Sequence, residues 1–285
     1  MELSPGMGTP WGQVSLEWIR SAQNQFALDR SWTQFHTPRN LALALMGEVG
    51  ELCECFQWKT ALDCDRLQGF TSEEKVHVGE EVSDVMFYLV RLSDMCGIDL
   101  ARAARAKIRL NAKKYPASLV RDSAEKYDAY GAQTGFTKVS KQVTVDENAE
   151  RTFVGLHPGQ PWSHLLLQDL REELLVFTTE RGWNKFHMPR SLALALSGEA
   201  GELCEVLQYK SEEACAAGLP GLDVTTKDKL AQEVSDVLIY LVRLADVCGL
   251  QLDQALEAKL QKNAVKYPVA LSKNSNKKYK ELHSG

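Results

Sequence analysis

Several things are scarce in this chain, and each shortage excludes a class of function. Positive charge is in deficit: over 285 residues the net charge is −5, which argues against a surface built to neutralise nucleic-acid phosphates. Long apolar runs are missing, and the stretch Leu41–Met46 at a helix start is far too short to span a bilayer. The opening residues, MELSPGMGTPWGQ, lack the basic and apolar regions of a secretory signal, so no such signal is expected. Cysteine occurs seven times, an odd count without C-x-x-C spacing, which indicates neither a disulfide framework nor a zinc site. Buried reduced thiols in a cytosolic compartment are the expectation. The basic tail Lys273, Lys277, Lys278 and Lys280 reads as solvated, with nuclear targeting as the alternative. Strand-like alternation is absent too, so the expected fold class is all-α. No Gly-x-x-x-x-Gly-Lys-Ser/Thr run occurs, so any bound phosphates would have to be held by metal and side chains.

What is present is a duplication. The run GEVGELCECFQWK, Gly47–Lys59, returns as GEAGELCEVLQYK, Gly198–Lys210. The similarity extends over Ser31–Lys59 against Gly182–Lys210 and over Glu81–Pro116 against Glu233–Pro268, with roughly four positions in ten changed. Two copies of this length make a tandem domain pair, not a solenoid of short units. The boundaries expected are a first unit over 1–130, a linker over 131–160 and a second unit over 161–285.

Within each copy the pattern predicts four principal helices. In copy one, Leu16, Ile19 and Phe26 share a face of a first helix, about Ser15–Asp29. Thr37 followed by Pro38 reads as an N-cap with proline at the first helical position, opening a second helix that runs to about Lys59. Asp63–Gly69 reads as a loop. Thr71-Ser-Glu-Glu74 has capping-box form and opens a long third helix, which Gly97 ends; Thr225-Thr-Lys-Asp228 holds the same place in copy two. A fourth helix spans about Leu100–Lys114 and stops at Tyr115-Pro116.

Two constellations stand out on these helices. Glu48 with Glu51 and Glu81 with Asp84 are spaced to share a helix face, as are Glu199 with Glu202 and Glu233 with Asp236. A single Glu-x-x-Glu is ordinarily a solvated face. Here the pairs border Leu and Val stripes, where an unpaired charge is costly, and all eight acids survive the divergence of the copies. Gly47 and Gly50 flank Glu48, and glycine inside a helix argues that something approaches closely. Carboxylates without His or Cys partners suit a hard cation, Mg²⁺ or Mn²⁺; a di-iron bundle would want Glu-x-x-His pairs, and neither copy has one. The cationic counterpart is Lys107, Asn111 and Lys114, with Lys259, Asn263 and Lys266, which read either as a helix end complementing its dipole or as donors to a polyphosphate. Trp32 and Trp58, matched by Trp183 and Tyr209, bracket the second helix and could serve as stacking platforms. His36 and His187 read first as hydrogen-bonded structural residues.

These residues together resemble the MazG-type all-α nucleoside triphosphate pyrophosphohydrolases. More narrowly, WTQFHTPRNLALALMGEVGELCECFQWK and EEVSDVMFYLVRLSDMCG are similar to the dCTP pyrophosphatase branch, in both copies. The resemblance implies Mg²⁺-dependent hydrolysis of dCTP or a modified dCTP to the monophosphate and pyrophosphate, cleansing the nucleotide pool. It implies that Glu48, Glu51, Glu81 and Asp84, and likewise Glu199, Glu202, Glu233 and Asp236, coordinate the metal, with Glu48 and Glu199 as general bases. Trp32, His36 and Trp58, with Trp183, His187 and Tyr209, would enclose the base. Tyr88, Lys107, Asn111 and Lys114, with Tyr240, Lys259, Asn263 and Lys266, would contact sugar and phosphates. The branch often carries a His nine residues before the first Trp; here Gln23 and Leu174 stand there, so the two pockets are expected to differ in base selection. The resemblance also implies pockets formed between subunits of a tetramer, so the tandem chain is expected to be its own pseudo-dimer and to pair into a homodimer. The rival readings are a dUTP or broad noncanonical triphosphate hydrolase, and a nucleotide-sensing or assembly module with one idle copy. No nucleic-acid or membrane partner is expected.

Overall fold

The structure is a computed structural model that describes residues 9–123, 152–153 and 155–275. Residues 124–130 of the first unit, most of the linker, and Lys277, Lys278 and Lys280 lie outside the described residues. Among the described residues there is no strand, only two isolated β-bridges, and the all-α expectation holds.

The principal helices of copy one are α1 (Leu16–Asp29), α2 (Pro38–Gln57), α3 (Ser72–Met95) and α4 (Leu100–Lys114); those of copy two are α5 (Leu167–Glu180), α6 (Pro189–Leu207), α7 (Val224–Val247) and α8 (Leu252–Lys266). Local chemistry sets most of their ends. Ser15, Thr37 and Asp99 each accept a backbone N–H of the turn they open. Thr71 and Glu74 close a reciprocal capping box, and Gly97, at φ +71°, supplies the left-handed residue that follows the end of α3. Copy two departs from the sequence reading at one cap. Asp223, not Thr225, caps α7 by accepting from Thr226 N, because Asp228 is engaged elsewhere: its Oδ1 accepts from the amides of Thr152 and Phe153 at 2.8 and 2.9 Å. The loop expected over Asp63–Gly69 is partly helical, with a short helix Ala61–Cys64 and a 3₁₀ turn Asp65–Leu67.

The packing joins the copies. Helix α2 lies against both α3 and α6, α3 lies against α7, and the fourth helices are exchanged: α4 packs chiefly on α7 of copy two, and α8 on α3 of copy one. The apolar faces of both copies therefore close over one continuous core. A four-helix unit, in the spatial sense, takes its last helix from the other half of the chain.

The segments preceding each first helix cross over as well. Trp11 donates from Nε1 to Leu250 O at 2.8 Å and from its amide to Gln168 at 2.8 Å. In the other direction Gly159 N donates to Asp94 Oδ1 at 2.9 Å, Trp162 N to Glu17 at 2.8 Å, and Ser163 to Asp99. The arms meet where Leu16 N donates to Leu165 O and Leu167 N to Val14 O, both at 3.0 Å. The described part of the stretch assigned to the linker is thus a strap held by both copies, Thr152 and Phe153 by Asp228 and Leu156 and Gly159 by Gly97 and Asp94.

Asp94 is the hub of that strap. It is 2% exposed, receives Arg91 Nη1 at 2.7 Å and lies 3.7 Å from Arg20 Nη1. Its removal would leave the buried guanidinium of Arg91 without its counter-charge and Arg20 with Glu17 alone. Asp94→Ala is expected to cost about 3 kcal/mol or more of unfolding free energy, read from the urea midpoint; an unchanged midpoint would show that the strap contributes nothing to stability.

Candidate functional site

Two equivalent centres form where α2 and α3 of one copy face α8 of the other, and where α6 and α7 face α4. In the first, Glu48, Glu81 and Asp84 each offer a carboxylate oxygen within 4.8 Å of the others; in the second, Glu199, Glu202 and Glu233 do so. The lysines arrive from across the interface. Lys259 Nζ lies 2.5 Å from Asp84, and Lys107 Nζ lies 2.6 Å from Asp236. Asn111 also donates to Asp236. The sequence reading named Lys107, Asn111 and Lys114 without saying which copy's acids they meet; α4 leads these side chains to the acids of copy two.

The second centre opens into a cavity of about 600 Å³. Glu199, Glu202, Glu233 and Asp236 line one end, with Lys107, Asn111, Lys114 and Tyr240 beside them. Trp183, Phe186, Phe177, His187 and Leu174 line the other. The cavity therefore runs from a charged end to an aromatic end, a form that takes an elongated ligand with one anionic and one flat, weakly polar part. In copy one the same residue types meet: Trp32 stands edge-on to Phe26 at 5.8 Å, to His36 at 6.3 Å and to Tyr267 of copy two at 5.5 Å.

Other assigned residues lie away from the centres. Trp58 and Tyr209 are 88% and 91% exposed, because each sits where its helix has just ended, and within one chain they do not enclose a base. Among the described residues nothing approaches Gly47, Gly50, Gly198 or Gly201 closely enough to meet an added Cβ, so the close neighbour expected from these glycines is not found among them. Conversely, the sequence places Arg91 on the stripe of Glu81, Asp84 and Tyr88, but neither it nor Arg243 was assigned to the site. Arg243 lines the cavity and donates from Nε to His187 Nδ1 at 3.3 Å, as Arg91 does to His36 at 3.1 Å. Their place in the tyrosine-bearing stripe of the third helix, in both copies, was the available signal. Tyr115 and Tyr267, read only as helix stops, stand edge-on to Trp183 and Trp32.

Electrostatics follow from burial. Desolvation, with Asp84, Glu51 and Glu81 adding repulsion and Lys259 opposing, pushes the Glu48 carboxyl up to about 7. The same balance, with Lys107 opposing, pushes Glu199 up to about 7. Burial, helped by the neighbouring arginine, lowers His36 and His187 to about 4, so both imidazoles are neutral at physiological pH, accept from arginine at Nδ1 and keep Nε2–H as a donor. Glu81 Oε2 is buried without a hydrogen-bond partner, an orphan acceptor that a cation would satisfy. A donor set of carboxylate oxygens alone, one of them orphaned, fits a hard divalent ion.

With that geometry in hand the comparisons are decisive for the family. A family model described as MazG-like matches residues 45–129 and 194–282, once in each copy. The chain belongs to the MazG-like family. Among curated proteins it is 47% identical to dCTP pyrophosphatase 1 of Homo sapiens over 124 residues, 44% of this chain and 72% of that protein. It is 49% identical to dCTP pyrophosphatase 1 of Rattus norvegicus over 115 residues, 40% of this chain and 67% of that protein. Each match is less than half of this MazG-like chain, about the length of one copy. No helix among the described residues is long and apolar enough to cross a membrane.

The raised carboxyls set a direction for metal binding. Below pH 7 Glu48 and Glu199 hold protons that a cation must displace, and above it they do not. Divalent-cation affinity is therefore expected to rise about tenfold between pH 6 and pH 8 and to level off beyond. Calorimetric titration at the two pH values checks this, and a flat profile would contradict it.

Proposed function

We propose that this MazG-like chain hydrolyses dCTP, or a dCTP modified on the base, to the nucleoside monophosphate and pyrophosphate at two centres that each draw on both copies. The observation that carries the reading is the cross-copy meeting of carboxylates and lysine at one end of an aromatic-walled cavity. The relatives, named for dCTP pyrophosphatase activity, support pyrophosphate release from a nucleoside triphosphate as the class of reaction.

Mg²⁺ is the cofactor we assign, with Mn²⁺ as a substitute, held by Glu48, Glu51, Glu81 and Asp84 and by Glu199, Glu202, Glu233 and Asp236. When bound, it supplies charge neutralisation for the triphosphate and acidifies the attacking water. The chain's own groups do the rest. Glu48 and Glu199, pushed to about 7 in the metal-free chain, suit proton acceptance at neutral pH. Lys107 and Lys259, now paired with aspartates, are placed to transfer their hydrogen bonds to phosphate oxygens, together with Asn111 and Asn263, Lys114 and Lys266. Tyr88 and Tyr240 flank the sugar. Trp32 and Trp183 wall the base, while His36 and His187 offer Nε2–H donors. Leu174 lines the cavity of copy two where copy one has Gln23, which supports a second reading with a broader or different base range in that half, dUTP included.

A panel of nucleotides with Mg²⁺ tests the reaction: pyrophosphate is the expected product, and orthophosphate with a diphosphate would refute the bond assignment. Paired variants test the cross-copy assignment. Glu199→Gln with Lys107→Ala damages one centre twice and should leave about half of the turnover. Glu48→Gln with Lys107→Ala damages both centres and should lower turnover on the order of a hundredfold. Equal losses from the two combinations would defeat the assignment.

We also infer that two chains associate. Leu43 and Leu194 are 72% and 74% exposed on the helix faces that carry Gly47 and Gly50, Gly198 and Gly201. Small residues beside an exposed leucine let another helix approach closely. Light scattering should give about twice the 31.8 kDa chain mass, with Leu43→Glu shifting it to a single chain; a wild-type monomer would sink this inference.

A further inference from the structure

The two centres keep the same acids but not the same neighbours. In copy one Asp84 remains within the converging set despite its contact with Lys259; in copy two Asp236 does not, and the more exposed Glu202 takes its place. Lys107 and Asn111 together hold Asp236.

One turn before the buried glutamate the copies diverge more sharply. Copy one has His77, whose Nδ1 lies 3.3 Å from Glu81 Oε1. That contact orients one oxygen of Glu81 and leaves the other, Oε2, buried and unpartnered. Copy two has Lys229 at this position, and its charge acts on Glu233. The flanking residue differs as well. Glu80 takes up Lys262 from copy two at 2.6 and 2.7 Å, so that pair adds no net charge beside the first centre. Its counterpart, Gln232, is neutral and donates to Asp228 at 3.0 Å, so this position brings no acid to set against Lys229. The first centre is the more negative and the better prepared for a cation.

We propose that the two centres bind divalent cations unequally, the centre of Glu48, Glu81 and Asp84 tightly and that of Glu199, Glu202 and Glu233 weakly. His77 and Lys229 are the positioning residues that set the difference. The proposal rests on reading the acid clusters as metal centres. At limiting cation, only the first centre is then loaded, and the second comes into use as the cation concentration rises.

Titration of the full chain with Mn²⁺, followed by the electron paramagnetic resonance of the free ion, tests this without reference to turnover. Two classes of site should appear, separated by at least about tenfold in affinity, with Glu81→Gln removing the tight class and Glu233→Gln the weak one. His77→Lys should weaken the tight class about tenfold, and Lys229→His should strengthen the weak class by a similar factor; both positions are exposed, so neither exchange threatens the fold. A single class of equal sites, or two classes that neither exchange moves, would overturn the proposal while leaving the metal reading intact. No Mn²⁺ binding, or binding untouched by Glu81→Gln and Glu233→Gln together, would remove the metal reading and this inference with it.

Discussion

The reciprocal pairing of Lys107 with Asp236 and Lys259 with Asp84 is the constraint on which both acid centres depend. Each lysine is carried on a fourth helix that has left its own copy to pack on the other's third helix. Burying an ion pair is a poor route to stability, since desolvation offsets much of the attraction. Apolar packing of α4 on α7 and of α8 on α3 would hold the copies together without it. What the pairs do is keep a positive charge beside an acid cluster that burial would otherwise drive to protonation, as the rise of Glu48 and Glu199 towards 7 records. The exchange of helices makes each centre joint property of both halves.

Local structure was largely legible before any coordinates. Thr37-Pro38, the Thr71–Glu74 box, Gly97 and Tyr115-Pro116 each act through hydrogen bonds or sterics spanning a few residues, so a linear reading finds them. The cap of α7 was misread for a reason that is not local: Asp228, drawn from the box, holds Thr152 and Phe153, residues more than seventy positions away. The exchange of fourth helices was invisible for the same cause. Lys107, Asn111 and Lys114 present one face whichever third helix that face meets, and the two third helices are nearly alike in sequence. Only three-dimensional packing distinguishes a copy that closes on itself from one that closes on its neighbour.

The candidate site was legible by residue type and less so by arrangement. All eight acids could be picked out because they recur beside apolar stripes. Which of them converge depends on whether a lysine and an asparagine from the other copy occupy Asp236, and spacing says nothing about that. Trp58 and Tyr209 drew attention as aromatics among polar neighbours, yet that context equally describes a ring left outside the core, which is where both lie. Arg91 and Arg243 were passed over because an arginine on a helix is unremarkable until its guanidinium is found buried against a histidine and an aspartate.

Shared centres also limit where the two copies can diverge. A change at Lys107 alters the centre of copy two, while a change at Asp84 alters the centre of copy one and frees a lysine of copy two. At the cross-copy contacts that hold the acids the copies agree: lysine, asparagine, aspartate and the Tyr-Pro stop recur at matching places. Divergence is cheapest where a side chain touches one centre only. His77 against Lys229 and Gln23 against Leu174 lie at such places, on the outer turn of a third helix or beside the aromatic residues. Covalent duplication thereby permits what a symmetric assembly of identical chains forbids, two centres built from one plan with different surroundings, because in a homo-oligomer every substitution appears at every centre at once.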